Sequence, residues 1–529
     1  MYFFIFALFL NSLFTIQTMK KTFIVIACAA LCAANMYGQT KGHFNNPVIP
    51  GDVADPSIIR IGNTWYATGT SSEWAPYYPM FTSTDLVNWK QTGHIFDKQP
   101  EWTVSSFWAP ELYYMNNKVY AYYTARNKKG VSYIGVATAD DPTKEFTDHG
   151  PVVEYGTEAI DAFILEDNGK QYISWKAYGL DNRPIELLCS QLSDDGLSLV
   201  GETFTLMRDD DRIGMEGQCH FKKGDYYYML YSTHSCCGPK SDYQVRVARS
   251  KTLKGPYEIY DGNPVLHGGS DKVQSCGHGT VTTTPDGRMF YFFHAYLTGG
   301  RFFAGRQPML QEMVIGDDGW IHFPTGDTAQ LEQPLPFKGK EQKATPGFFD
   351  NFKNNKLKAG WTWNYPYTTV NIHTGKGKLS LSGTMKEGNH NGSALCLRPV
   401  KPDYAFATQV INHNSSLKGL TLYGDDKTLV AFGAQGDKLI LKEVIDGKEQ
   451  IVCNEPLPAT SPYLKIEVNN GTQCTFFWSK DGKTWQALNN IAPKRDYSKQ
   501  VRWDRVARPG LIHCGLPTEP AEYSYFRLL

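Results

Sequence analysis

A strand-like, aromatic-rich segment returns five times along this chain. It begins at Asn63 (NTWYATGTSS), Asn117 (NKVYAYYTAR), Gly169 (GKQYISWKAYG), Gly224 (GDYYYMLYSTH) and Asp286 (DGRMFYFFHAY), at spacings of 54, 52, 55 and 62 residues. Each copy opens on a residue suited to a tight turn, as a β-hairpin does. Each is preceded by a short apolar segment such as ADPSIIRI or IDAFILEDN and followed by another strand-like run such as YIGVATADDP or QVRVARSKTLKGP. No helical period interrupts them. A unit of about 50 residues with three or four short strands cannot bury its own faces, and repetition at that period predicts a five-bladed β-propeller over residues 45–335. A sandwich or barrel shows no such regular spacing.

Counting eight residues back from each turn gives Asp55, Ala109, Asp161, Glu216 and His278. The innermost strand of every propeller blade lines the central channel, so equivalent positions far apart in sequence converge on one axis. One carboxylate beside a turn is ordinarily a solvated or capping group. Three in register, with an imidazole, predict a site. Hydrolysis of a glycosidic bond needs one carboxylic acid to protonate the leaving oxygen and a carboxylate opposite to activate water or attack the sugar. A third carboxylate suits a modulator, because a nearby like charge raises the pKa of the group that must stay protonated.

The motifs Ala54-Asp55-Pro56 with Trp65-Tyr66, Phe107-Trp108-Ala109-Pro110-Glu111, Ile160-Asp161-Ala162 and Glu216-Gly217 resemble those of glycoside hydrolase family 43, in the same order and blade placement over nearly all of 45–335. The resemblance implies an inverting hydrolase with Asp55 as general base, Glu216 as general acid and Asp161 as pKa modulator. It also implies that Trp108 flanks the sugar, that His278 in CGHGT lies beneath the sugar or touches a water-bound calcium, and that Arg306 in AGRQPML sits near Asp161. Inversion predicts a separation of roughly 6.5–9.5 Å between the Asp55 and Glu216 carboxyls. No cofactor is required; calcium near His278 is an optional addition. The expected substrate is a neutral plant polysaccharide or oligosaccharide that loses terminal α-L-arabinofuranose or β-D-xylose. An attached second domain and the aromatic loop SSEWAPYYPM (71–80) favour exo action, with endo-arabinanase or galactan-directed activity as the alternative. A non-catalytic carbohydrate-binding propeller would not need all three acids. A retaining fructan or sucrose enzyme would call for Asn-Asp-Pro-Asn and Arg-Asp-Pro, where this chain has Ala-Asp-Pro and no Arg-Asp-Pro.

Residues 345–529 follow a Pro- and Lys-containing link and read as alternating strands, among them GKLSLSG, KLILKEV and YLKIEVNNG. They predict a β-sandwich of the jelly-roll or lectin-like kind, similar to the C-terminal domain of part of the same family, with a structural role. The stretch Ser479-Lys480-Asp481-Gly482-Lys483-Thr484-Trp485 reads as an Asp-box turn, which is structural and does not indicate a sialidase.

The 529 residues carry 53 basic and 53 acidic side chains, a balance that removes the electrostatic reason to expect nucleic acid or an anionic membrane as partner. Met19-Lys20-Lys21 followed by TFIVIACAALCAA reads as a secretory signal over residues 1–38, with Met19 as the alternative start and lipid attachment at Cys28 as the weaker reading. Its apolar core is too short to span roughly 30 Å of hydrocarbon. The expected location is secreted or periplasmic, with no membrane insertion after cleavage. Nine cysteines follow the leader; the adjacent pair Cys236-Cys237, with Cys219 and Cys276, offers at most one bridge, and buried free thiols are the competing reading.

Overall fold

In a computed structural model the described residues are 42–529 without 271, 299–303, 387, 390, 489–494 and 498–505. The expected leader, with Met19 and Cys28, lies outside them. The regular structure described is all β. Residues 45–333 and 342–529 form one compact unit that holds both the propeller and the sandwich.

Five sheets, each built as an antiparallel meander of four strands, start with Ser57–Ile61, Thr103–Met115, Ala159–Asp167, Glu216–Lys223 and Val273–Thr283. The fourth sheet adds a short strand, Leu266–His267. These first strands pack against one another in sequence order, and the fifth closes on the first. The aromatic segments of the repeat are the second strands, and their rings fill the spaces between blades. Tyr78, Phe107 and Tyr123 meet between the first two blades; Leu230, Tyr291 and Phe293 lie in another fully buried cluster. The aromatic residues of these strands, part of the 14% in the whole chain, are therefore packing material, each ring removing a large apolar area from water.

Every blade carries a left-handed residue in or just before its innermost strand, Asp55 (φ 51°), Ala109 (42°), Asp161 (60°), Gly217 (58°) and His278 (43°), and the second blade adds Ser106 (62°). In the last four blades the pairing with the second strand skips at this residue, a β-bulge that re-aims the side chain into the channel mouth. The bulges correct one equivalence expected from the spacing. In the fourth blade the equivalent of Asp55 and Asp161 is Gly217, and Glu216 stands one residue earlier, pairing with Ser232 as Trp108 pairs with Thr124 and Ile160 with Lys176. Glycine is needed at 217, because a β-carbon there would meet the His278 ring at 2.7 Å.

The C-terminal domain is a nine-stranded sheet facing a six-stranded one, with Phe352, Trp361, Leu420, Phe432, Phe476 and Phe526 in the core between them. Trp361 is 2% exposed and donates its Nε1–H to Asp350 Oδ2 at 3.0 Å. Trp361→Ala removes the ring and takes the donor from buried Asp350 Oδ2, so we expect a loss of about 3–5 kcal/mol, seen in calorimetry as a lowered unfolding temperature. The Asp-box reading holds: Ser479 donates to Asp481, whose carboxylate accepts the Lys483 and Thr484 amides at 2.8 Å. Cys236 and Cys237 are bonded to each other, while Cys219 and Cys276 are buried free thiols.

Candidate active site

The ring of bulges places Asp55, Asp161 and His278 together, with Glu216 beside them. His278 Nδ1 stands 3.5 Å from Asp55 Oδ1 and 3.8 Å from Asp161 Oδ2. The Gly217 amide donates to Asp161 Oδ2 at 3.2 Å, so Asp161 grips the backbone next to Glu216.

A second ring holds the first. Fifteen or sixteen residues after each bulge, at the end of the second strand, stand Thr70, Thr124, Lys176, Ser232 and His294. Four of these accept the bulge amide of the next blade: Thr70 Oγ1 from Ala109 (2.8 Å), Thr124 Oγ1 from Asp161 (3.2 Å), Ser232 Oγ from His278 (2.8 Å) and, closing the circle, His294 Nδ1 from Asp55 (3.0 Å). Lys176 has donors only. The amide it cannot serve, that of Gly217, goes to Asp161, and Lys176 Nζ instead pairs with Glu216 Oε2 at 2.6 Å. Tyr243 donates to the other Glu216 oxygen at 3.1 Å.

The three carboxyls sit in different fields. Burial raises the Asp55 pKa, but Arg306 Nη1 at 3.0 Å, the two imidazoles and the 2.6 Å bond from Thr70 outweigh it and hold the group well below the usual carboxylate range. Asp161 is pushed up to about 6, chiefly by burial. Glu216 is also raised by burial, yet the Lys176 ammonium overrides this and leaves it lowered. Asp55 is thus fixed as a carboxylate, as a base must be. Glu216 in the free protein is not yet set up as an acid.

Arg306 does not lie where the resemblance implied. Its guanidinium binds Asp55 and not Asp161, because the fifth blade, which carries Arg306, closes against the first. Trp108 is half-buried, with the Arg126 guanidinium 5.7 Å from its ring centroid, unlike the fully buried Trp65 and Trp175. Among the described residues no three His, Cys, Asp or Glu side chains are grouped to hold a metal, and the Asp55 carboxylate beside His278 is engaged by Arg306 and Thr70. A further buried carboxyl, Glu111, is pushed up to about 8 by burial. It lines a separate cavity of about 350 Å³ with His220 and Thr280.

Sequence reasoning passed over Thr70, Lys176, Tyr243 and His294. Thr70, Lys176 and His294 share the offset of fifteen or sixteen residues from the bulge, which is the signal that finds them.

The description Glycosyl hydrolases family 43 matches residues 44–321, and Beta xylosidase C-terminal Concanavalin A-like domain matches 349–527. The chain belongs to glycosyl hydrolase family 43. The C-terminal sandwich is the concanavalin A-like domain found with it. A non-reducing end α-L-arabinofuranosidase of Bacteroides ovatus is 26% identical over 87% of this chain and 88% of its own length. A xylan 1,3-β-xylosidase of a Vibrio species is 26% identical over 55% of this chain, and the match spans only 59% of that protein. The crystal structure of a Bacillus halodurans xylan β-1,4-xylosidase superposes with a TM-score of 0.79 at 20% identity, covering 92% of this chain and 99% of that one. It shares the propeller-and-sandwich fold.

Proposed function

We propose that this family 43 member is a secreted or periplasmic, inverting exo-glycosidase that releases terminal α-L-arabinofuranose or β-D-xylose from plant cell-wall polysaccharide or oligosaccharides by single displacement. The observation that carries the reading is the division of labour among the three channel carboxyls. Asp55, locked as a carboxylate by Arg306, activates a water. Glu216, gripped through Gly217 by Asp161, protonates the leaving oxygen. Asp161 holds that backbone and modulates the acid. These groups and one water complete the reaction without a cofactor. Trp108 offers an apolar face to a sugar ring and His278 a polar contact at the channel mouth. Exo action is supported by the loop carrying Trp74 and Ala75, which pairs with Trp363 and Asn364 of the sandwich and lies under Arg508, 3.9 Å from the Trp74 ring centroid. A loop braced in this way suits a pocket closed at one end. The two curated relatives named above differ in the pentose they act on, which keeps both pentoses in the proposal.

The test is product analysis on arabinan, arabinoxylan and xylo-oligosaccharides, with the anomer followed by proton NMR in the first minutes. Monosaccharide from the first time point, as the anomer opposite to that of the substrate, is the expected result. Oligosaccharides as first products would replace exo with endo action. A product of retained configuration would overturn single displacement.

A further inference from the structure

Glu216 faces a difficulty as an acid. Its partner in the free protein is an ammonium at 2.6 Å, which favours the carboxylate, whereas an acid catalyst must hold a proton. The same lysine has a second carboxyl within reach. Glu158 lies just before the third innermost strand and is 7% exposed. No hydrogen bond of normal geometry reaches its Oε2, an expensive condition for a buried polar atom. A β-carbon on Gly179 would stand 2.3 Å from that Oε2 and 3.2 Å from Lys176 Nζ, so the two atoms are at most 5.5 Å apart. The missing side chain of Gly179 leaves the space in which they approach. Lys176 is also the one member of the five-fold second ring that accepts no bulge amide, so its ammonium is not tied into that ring.

We propose that Lys176 is shared between Glu216 and Glu158, and that Glu158 is a positioning residue that draws the ammonium off Glu216 so that the acid carries its proton. One proton and one ammonium serve two carboxyls. In the resting arrangement Glu216 is the carboxylate, paired to Lys176, and Glu158 holds the proton. In the working arrangement Glu158 is the carboxylate, Lys176 turns to it, and the proton resides on Glu216, ready for the leaving oxygen. The net charge of the three groups is zero in both, so the exchange needs no ion to enter a closed site. The surroundings fit. Glu158 is raised, first by burial and also by the Glu216 charge, against the opposing cations Lys176 and Arg126 and the backbone amide of Gly179. Lys176 also feels Asp161, and Glu216 also feels His278 and Asp55. This inference rests on the glycosidase reading above.

The test compares Glu158→Gln, Glu158→Asp and Gly179→Ala with wild type on two substrates of the same sugar, a 4-nitrophenyl glycoside and an unactivated disaccharide. Nitrophenolate leaves without much help from an acid, and a sugar alcohol does not. Glu158→Gln and Gly179→Ala are expected to lose roughly tenfold or more in kcat on the disaccharide and several-fold less on the nitrophenyl glycoside. The alkaline limb of the disaccharide profile is expected to move toward lower pH, because Glu158 then no longer competes with Glu216 for the Lys176 ammonium. Glu158→Asp is expected to restore part of the loss. Equal losses on both substrates, or an unmoved alkaline limb, would overturn the proposal. A readout without turnover backs this up: the infrared difference between wild type and Glu158→Gln at neutral pH should show a lost protonated-carboxyl band, and a lost carboxylate band alone refutes the sharing. Absence of hydrolysis by the wild type on every glycoside tried would instead strike the glycosidase reading, while the infrared result still decides the protonation of Glu158.

Discussion

Asp55→Asn is expected to fold and to lose roughly 10³-fold in kcat on every substrate, activated or not. An amide cannot take the proton that water gives up as it attacks, and the leaving group has no bearing on that loss. The environment of Asp55 sharpens the prediction. Its pKa is depressed by Arg306, His278, His294 and Thr70 against the opposing effect of burial, so the base stays ionised well into the acid range. The sign follows: activity that needs the carboxylate is present above the folded pKa and is lost only as pH falls through it. The acid limb due to Asp55 therefore lies below the ordinary carboxylate value of about 4. Arg306→Met removes the largest lowering influence and is expected to move that limb upward, with Asp55 still in place. The stability linked to Asp55 follows the same direction, being present above its unfolded value and lost in acid. The checks are kcat on an aryl glycoside and a disaccharide, circular dichroism for folding, and a pH profile down to the limit of stability. Retention of wild-type turnover in Asp55→Asn would remove it from the role of base.

How much of this site was legible in the sequence depended on what kind of regularity each residue obeys. Asp55 and Asp161 occupy the same bulge in different blades, and a repeat count finds them. Glu216 was found by the same count although it is not equivalent to them. The fourth blade turns at Gly224, where the first three turn across Gly62-Asn63, Asn116-Asn117 and Asn168-Gly169, so starting from the second of two turn residues in some blades and the first in another shifts the register by one. That shift has a chemical meaning. A bulge residue points at the axis, whereas the residue before it pairs with the second strand of its own blade; in the fourth blade that residue is Glu216, and it meets Lys176 of the third blade. Arg306 was located by sequence but assigned to the wrong carboxylate. Its partner lies 251 positions away, across the seam where the last blade meets the first, and spacing carries no information about contacts made by ring closure. The sandwich was legible because alternation of apolar and polar residues directly reports a half-buried strand. The pairing of Cys236 with its own neighbour was not, since nothing in the spacing of cysteines distinguishes it from two buried thiols.

Glu216→Gln should behave differently from Asp55→Asn, and the difference is the strongest evidence available for assigning the two roles. On an unactivated disaccharide the loss is expected to be about 10²- to 10⁴-fold, because the departing sugar alkoxide must be protonated as the bond breaks. On a 4-nitrophenyl glycoside the leaving group stabilises its own charge and the loss shrinks by an order of magnitude or more. The amide also removes the partner of the Lys176 ammonium at 2.6 Å. That cation is then left to Glu158 and Asp161, the other acids acting on it, and Asp161, now raised to about 6, is expected to titrate lower. Lys176→Met makes the opposite change at the acid itself. With the ammonium gone, burial and the Asp55 charge act on Glu216 against His278 alone, its pKa rises, and the alkaline limb of the disaccharide profile moves to higher pH. A glutamine variant that lost activity equally on good and poor leaving groups would be reporting damage to the pocket and not the absence of an acid. A Lys176→Met profile displaced toward acid would contradict the electrostatic control described here, since removing a cation from beside a buried carboxyl can only make its proton harder to lose.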